Sequence, residues 1–567
     1  MEDISIVLCG EAGQGIETIE DILSRILKIS RYNIFSAREY MSRVRGGINS
    51  TEIRVSPKPI RAYVDRIDLL FALSNKSLDH LKNRITEKTL IFGDKEVIGN
   101  AQNVIDLPLS TTSKKLGSNL YANTVTAGVI CGLLNVSEYE LRNFISKYFE
   151  IKGEDIVNKN LEAINAGYDL AKKIIDSGIT IKVKKSDELS RDLGKDILMS
   201  GKDAIALGSL AGGCNFISGY PMSPATGVLS FMSANSKGLE VIAEQAEDEI
   251  SAINMAIGAW YAGGRGMTTT SGGGFALMEE GLSLAGMSET PVVIHIGQRP
   301  GPATGLPTRT EQGDLDLSLY AGHGDFARVI LSPGNIEDCF YLSKYAFSLA
   351  DKFQIPVFIL TDQYLLDCQY NIASLDYKKF EIKKYVSKTE KDYRRYQFTK
   401  TGVSPRGIPG FGEGLIVQTG NEHDETGHTT ENADIRKRMV EKRFKEKLNQ
   451  LKNEVIYPEL LGGKAYKFLL IGWGSTKNII EEALKELKEP RLGFLYFKQV
   501  YPLPREMMGY LINAQKIITI ENNASGQFAN LIKKETGFDI TYRILKYDGR
   551  PFSVEDVVTK IRDILEE

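Results

Sequence analysis

The sequence predicts a multidomain α/β protein, on three observations. Short apolar strands alternate with stretches of helical periodicity over most of the chain. Three times a strand meets a glycine turn that opens a helix, in ISIVLCGEAGQG, GMTTTSGGG and KFLLIGWGST. A chain of 567 residues also exceeds what one hydrophobic core serves, so three or four domains are expected.

Taken in order, the first domain is expected over residues 1–180. Its opening strand, ISIVLCG, leads through GEAGQG into IETIEDILSRIL, whose apolar residues recur at helical spacing. NIFSA, LLFAL and TLIFGD follow as short strands bounded by polar or turn residues. KVKKSDELSRDLGKD has little apolar content and reads as a linker, residues 181–200. The second domain, 201–380, carries FISGYPMSP, LEVIAEQ, GMTTTSGGG, PVVIHIGQRPG, ARVILSPG and PVFILTD, with helical stretches between them. Residues 381–460 turn polar and read as a connection with one exposed helix around RKRMVEKRFKEKLNQLK. The last domain, 461–567, repeats the strand–turn–helix plan in KFLLIGWGST and KIITIENNASGQ. It closes on SVEDVVTKIRDIL, where Ser553 and Asp556 are spaced as a capping box.

Bulk properties exclude several classes of function. With 70 basic and 73 acidic residues and a net charge of −3, nothing draws the chain to nucleic acid or an acidic membrane surface. The longest uncharged run, Ala204 to Ser236, holds two prolines and five glycines and is no membrane span. The five cysteines make no CxxC, so no metal or iron–sulfur cluster is expected on this chain. A start that runs straight into a strand and the lack of a disulfide pattern point to the cytoplasm.

The stretch EQAEDEISAINMAIGAWYAGG places four acids ahead of an apolar helix. On a helical wheel Ala252, Ile253, Ala256 and Trp260 form one stripe, and Glu249 falls in its middle. Glu247 lies almost opposite, beside Ser251 and Asn254. Acids favour a helix N-terminus for dipolar reasons, but one turned toward the apolar face is costly unless something pairs with it.

Other stretches are candidates for ligand contact, each against a plainer reading. In GYPMSP, where Tyr220 precedes Pro221 and the two prolines Pro221 and Pro224 bracket Met222 and Ser223, the prolines make a rigid loop able to present the Ser223 hydroxyl; an ordinary turn fits as well. Gly272 and Gly273 in TSGGG allow close approach of a ligand or another chain. Arg299 stands at the C-terminal end of PVVIHI, the usual ligand edge of an open α/β sheet, where a guanidinium clamps a carboxylate or forms a structural ion pair. GEAGQG, with Gly13 and Gly15, lacks both the dinucleotide and the Walker spacing, and is an anion turn or a plain tight turn. Arg43 and Arg45 in SRVRGG hold an anion or line a subunit contact. EHDETGH suits no standard metal site, and His295 reads as a satisfied strand histidine.

In combination and order, GYPMSP, the Glu249 helix, TTTSGGG and the arginine after PVVIHI resemble the α subunit of 2-oxoacid:ferredoxin oxidoreductases. The form resembled has its γ domain fused at the N-terminus, since GEAGQG and SRVRGG resemble that domain's marks. The resemblance spans essentially the whole chain. It implies a γ-type α/β domain, a pyrimidine-binding α/β domain for thiamine diphosphate, and a transketolase C-terminal-like domain. It answers the question of the buried acid: Glu249 matches the glutamate that hydrogen-bonds the aminopyrimidine ring of thiamine diphosphate, with Tyr220, Gly272 and Gly273 beside the cofactor. Arg299 would bind the 2-oxoacid carboxylate, Ser223 stands where the family usually has threonine, and Arg309 would meet a second carboxylate. Coenzyme A is the implied co-substrate, with Gly13, Gly15, Arg43 and Arg45 as anion contacts. No GDG…Asn pattern for Mg2+ is present, so the resemblance places Mg2+ and a 4Fe–4S cluster on a β subunit. Two such αβ pairs, and ferredoxin or flavodoxin as electron acceptor, are the implied partners. Rival readings are a regulatory subunit that kept the fold, which the joint presence of Glu249, Ser223 and Arg299 disfavours, and a transketolase-like transferase, which the γ-like segment disfavours.

Overall fold

The computed structural model describes residues 3–41, 47–99, 103–186, 193–378 and 381–566. Two compact units result, residues 1–199 with 367–374, and residues 200–366 with 375–567. Among the described residues three sheets are formed. Strands β1–β7 are Ile4–Glu11, Asn33–Glu39, Ile48–Ser56, Leu69–Ala72, Leu90–Gly93, Val104–Asp106 and Ile197–Ser200. Strands β8–β14 are Phe216–Gly219, Ile242–Gln245, Gly266–Thr270, Val292–Gln298, Val329–Leu331, Pro356–Asp362 and Gln369–Ile372. Strands β15–β20 are Glu459–Gly462, Phe468–Trp473, Leu492–Phe497, Gln499–Tyr501, Lys516–Glu521 and Tyr542–Leu545.

The first sheet has the order β6-β5-β4-β1-β3-β2-β14-β7. Its core is built as the periodicity predicts: Ile16, Ile19, Ile22, Leu23, Ile26 and Leu27 of the helix Ile16–Ile29 are all buried against it. Gly15 caps that helix at φ 75°, a left-handed conformation that favours glycine. The described parts of the expected linker, residues 181–186 and 193–200, are held to the first unit as far as Met199. Ile181 and Ser186 are buried, the Ser186 amide donates to the Arg31 carbonyl (3.0 Å), and residues 197–200 form β7. The strand is the apolar run Ile197–Ser200 at the end of that stretch, and four residues are too few to show a period. The expected boundary at 380 also shifts, since β14 pairs antiparallel with β2 and joins the first unit.

The middle sheet runs β18-β12-β13-β11-β10-β8-β9 and is parallel except where β18 pairs antiparallel with β12. After β8 the chain steps outward to β9, then returns to the other side of β8 as β10, so a topological switch point lies between β8 and β10. At such a point the loops leaving the C-terminal strand ends diverge and leave a crevice. The last sheet, β15-β17-β16-β19-β20, shares one apolar core with the middle one: Ile294 and Phe358 belong to the same cluster as Ile471, Trp473 and Phe528. The predicted capping box forms, with the Asp556 amide donating to Ser553 Oγ (3.0 Å) and the Ser553 amide to Asp556 Oδ2 (3.2 Å).

The polar connection packs against the sheet, contrary to the expectation of an exposed helix. The helix from Ala433 to Lys452 buries Met439, Lys442, Arg443, Lys447 and Leu451. Lys442 and Lys447 both reach Glu289, just ahead of β11, at 2.5 and 2.6 Å. In an α-helix residues five apart point ~140° away from each other. The segment Glu441–Glu446 is instead a π-helix, whose i→i+5 geometry brings both ammonium groups to one carboxylate. His423 packs against the Tyr396 ring at 3.8 Å between centroids, and among the described residues no group of His, Cys, Asp and Glu is arranged to hold a metal. Among those residues, too, no helix is long and apolar enough to cross a membrane.

Candidate active site

The switch point gathers most of the residues singled out in the middle domain. GYPMSP leaves β8, TSGGG leaves β10, and Arg299 follows β11. The four acids ahead of the helix Glu249–Tyr261 take separate tasks. Glu244 and Glu247 are exposed, and Asp248 caps the helix, its side chain accepting from the Ser251 amide at 2.7 Å. Only Glu249 turns inward and is buried (3 % exposed), on the stripe completed by Ala252, Ile253, Ala256 and Trp260. Trp260 anchors that stripe by donating from its indole N–H to the Gly266 carbonyl (2.7 Å).

The glycine turn carries a carboxyl at each end. A Cβ on Gly274 would lie 2.2 Å from Thr270 Oγ1 and 2.4 Å from Glu249 Oε1. A Cβ on Gly272 would lie 2.2 to 2.3 Å from the carboxyl atoms of Asp314. At Gly273 the nearest atom is the Ala303 carbonyl oxygen, at 3.4 Å. Glu249 Oε1, Thr270 Oγ1, Ser271 Oγ and Asp314 Oδ2 are all buried without a hydrogen-bond partner among the described residues. Buried polar atoms are nearly always satisfied, so a cluster of orphans beside side-chain-free backbone marks the seat of a ligand.

Arg299 is 8 % exposed and donates from Nη1 to the Ser223 carbonyl at 2.7 Å. Ser223 engages Arg299 by its backbone carbonyl, and not by the hydroxyl that the sequence marks for ligand contact. Burial lowers the affinity of Arg299 for its proton, with Asp314 acting in the opposite sense. Asp314 is a residue that sequence reasoning missed, being only one polar residue in a loop of many. Burial and the nearby Glu311 push its carboxyl up to about 7 against the pull of Arg299. Tyr220, 40 % exposed, directly follows β8 at the switch point. Arg309 is half-buried and sits against Gly549 of the last sheet region, where the Thr310 amide donates to the Gly549 carbonyl (3.1 Å). His295 is satisfied on both ring nitrogens, by Thr269 Oγ1 (2.8 Å) and Thr361 Oγ1 (2.9 Å), and burial holds it neutral down to about 3.

A separate cleft of about 500 Å3 opens in the first unit, lined by Gly13, Gly15, Thr18, Ser110, Ser113 and Asn123 among others. It lies where β1 gives way to its helix. Arg43 and Arg45, expected to assist there, lie outside the described residues.

Fold and site together define a subunit of a thiamine-diphosphate-binding oxidoreductase. Residues 207–442 match the family described as pyruvate flavodoxin/ferredoxin oxidoreductase, thiamine diphosphate-binding, and residues 5–170 match pyruvate ferredoxin/flavodoxin oxidoreductase. A 2-oxoacid:ferredoxin oxidoreductase α subunit from a Sulfolobus species is 33% identical over 100% of this chain and 96% of its own. The 2-oxoglutarate synthase subunit KorA of Methanothermobacter marburgensis is 30% identical over 65% of this chain and 98% of its own. Among solved structures, the 2-oxoglutarate:ferredoxin oxidoreductase of Magnetococcus marinus, with 2-oxoglutarate, coenzyme A and succinyl-CoA bound, aligns with TM-score 0.92 and 31% identity over 99% of both chains. The chain belongs to the 2-oxoacid:ferredoxin oxidoreductases, as an α subunit.

The site residues fit thiamine diphosphate. An aminopyrimidine needs a buried carboxylate with a free oxygen and a face of backbone without side chains, which Glu249 Oε1 and the Gly272–Gly274 turn supply. Two neighbouring glycines give a test. Gly274→Ala should displace Glu249 and Thr270 and weaken thiamine diphosphate binding strongly, and Gly273→Ala, whose methyl meets nothing closer than 3.4 Å in the chain itself, should weaken it by obstructing the ring without disturbing the fold. Calorimetric titration of the assembled complex reads both, and undiminished binding in both variants would remove the turn from the site.

Proposed function

We propose that this chain forms half of the active site of a 2-oxoacid:ferredoxin oxidoreductase that converts a 2-oxoacid, coenzyme A and oxidised ferredoxin to acyl-CoA, CO2 and reduced ferredoxin. The observation that carries this reading is the Glu249 oxygen behind the glycine turn, buried with no partner among the described residues. When bound, thiamine diphosphate supplies the carbon nucleophile and the electron sink for loss of CO2. Glu249 holds a proton against the pyrimidine ring nitrogen, a role for which a carboxylate shielded from water is suited. The Gly272–Gly274 turn lets the ring approach the backbone, and Tyr220, next after β8, lies beside it. Arg299 binds the 2-oxoacid carboxylate and is held toward it by the Ser223 carbonyl.

The diphosphate with its Mg2+ and the 4Fe–4S cluster are assigned to a β subunit, on the sequence's lack of a GDG…Asn pattern and of closely spaced cysteines. Exposed Tyr220, Ile242, Ile250 and Leu277 give that subunit apolar surface around the site. In the first unit, the cleft bordered by Gly13 and Gly15 and lined by apolar, hydroxyl and amide groups, with the carboxyl of Asp94 among them, suits part of coenzyme A. 2-Oxoglutarate is the favoured oxoacid, Arg309 its second carboxylate contact, a cytoplasmic dimer of αβ pairs the assembly, and pyruvate the alternative substrate. The names of KorA and of the Magnetococcus marinus enzyme support that order.

The test is anaerobic, coenzyme-A-dependent dye reduction by the chain co-purified with its partner, with 2-oxoglutarate and pyruvate run side by side. Activity only with the partner is expected, and 2-oxoglutarate should be preferred at least tenfold in kcat/KM. Full activity of the isolated chain, or none with any 2-oxoacid despite bound thiamine diphosphate and cluster, would overturn the reading.

A further inference from the structure

The role of Asp314 reaches beyond these assignments. We propose that Asp314 is the second half of the anion site built on Arg299, so that a 2-oxoacid carboxylate docks there together with a proton on Asp314. This rests on the reading of Arg299 as the carboxylate contact.

Three observations carry it. The carboxyl is built into the site: it fills the space that the missing side chain of Gly272 leaves, on the same turn whose other end meets Glu249. Its Oδ2 is buried with no partner among the described residues, although the group is rigidly held. Its amide donates to Gln298 Oε1 (2.9 Å), Gln298 Nε2 donates to the Thr361 carbonyl (3.0 Å), and the Ser318 hydroxyl donates to the Asp314 carbonyl (2.7 Å). A fixed, orphaned carboxyl oxygen is poised for a bond to something that arrives. The charged groups acting on it are Glu311 of its own loop and Arg299 beyond β11.

The sign of the coupling follows from these charges. With Asp314 ionised, Arg299 is already offset, and an incoming carboxylate meets a like charge. With Asp314 protonated, the positive charge of Arg299 stands uncompensated and the carboxyl becomes a hydrogen-bond donor to the anion. Free Asp314 titrates at about 7, so a bound anion raises that value and binding draws a proton from solution. Affinity then falls up to about tenfold per pH unit above 7, until the value in the complex is reached.

Oxamate, an unreactive isostere of a 2-oxoacid, is the probe. It is titrated calorimetrically into the thiamine-diphosphate-loaded complex at pH 6 to 8.5, in phosphate and in Tris, whose different ionisation heats reveal proton uptake. Uptake of about one proton near pH 8 and a Kd rising several-fold from pH 7 to 8 are expected. In Asp314→Asn, which keeps a donor but cannot titrate, uptake should vanish and Kd become independent of pH. Wild-type binding without proton uptake, or an unchanged pH slope in Asp314→Asn, would overturn the proposal. Arg299→Gln separates the two readings: if oxamate binds it as tightly as wild type, the carboxylate site itself is misplaced. If affinity depends on Arg299 but no proton is taken up, only the coupling to Asp314 fails.

Discussion

Replacing Glu249 with alanine should lower oxoacid-dependent dye reduction by about 10²- to 10⁴-fold, the range expected when a positioned proton-transfer group is lost. The protein should remain folded. Glu249 Oε1 has no partner among the described residues, so the folded chain alone gains no hydrogen bond from it and bears the cost of burying a polar oxygen. Urea unfolding of the isolated chain should therefore show a midpoint no lower than that of the wild type. Trp260 and Trp473, the chain's two tryptophans, are both fully buried in the second unit, so fluorescence reports its unfolding directly. Activity within tenfold of wild type would remove Glu249 from the proton path. A large drop in the midpoint would recast it as a structural residue.

The largest effect on stability is expected at the opposite end of the same sheet. Glu289 is fully buried between Lys442 and Lys447, and Arg395 donates to its carbonyl at 2.7 Å. Burial disfavours its charge, but the two ammonium groups override this and hold the carboxyl well below the ordinary range. Burial likewise draws Lys447 down to about 7 in spite of Glu289. Glu289→Gln leaves two lysines buried without a counter-charge, and breaking such a pair costs about 3–5 kcal/mol. The urea midpoint should fall accordingly. The π-helical segment should relax, because nothing then requires residues five apart to converge. Replacing Glu289, Lys442 and Lys447 together by methionine should recover most of the loss, as apolar replacements of buried ion pairs do. An unchanged midpoint in Glu289→Gln would show that the clasp contributes nothing.

Between these two sites the limits of the sequence are visible. Helical and strand periodicity, glycine turns and the Ser553–Asp556 cap depend on neighbours a few residues apart, and these were legible in order along the chain. The inward turn of Glu249 was legible for the same reason, since a helix fixes direction at ~100° per residue. The end of the expected linker 181–200 and the helix at 436–452 misled, the second because polarity was taken as exposure. In the first case the strand Ile197–Ser200 is too short to show a period, and in the second the lysines are buried with a carboxylate that lies about 150 residues away in sequence.

The sequence by itself determined the α/β class, the order of the strand–turn–helix units, the buried stripe of the Glu249 helix and the motifs that carry the family resemblance. Only the tertiary structure decided that β8 and β10 flank a switch point, that Arg299 is held by the carbonyl and not the hydroxyl of Ser223, and that Asp314 fills the space beside Gly272. Strand order, carbonyl direction and the approach of one loop to another are set by packing between segments distant in sequence, and no local pattern encodes them.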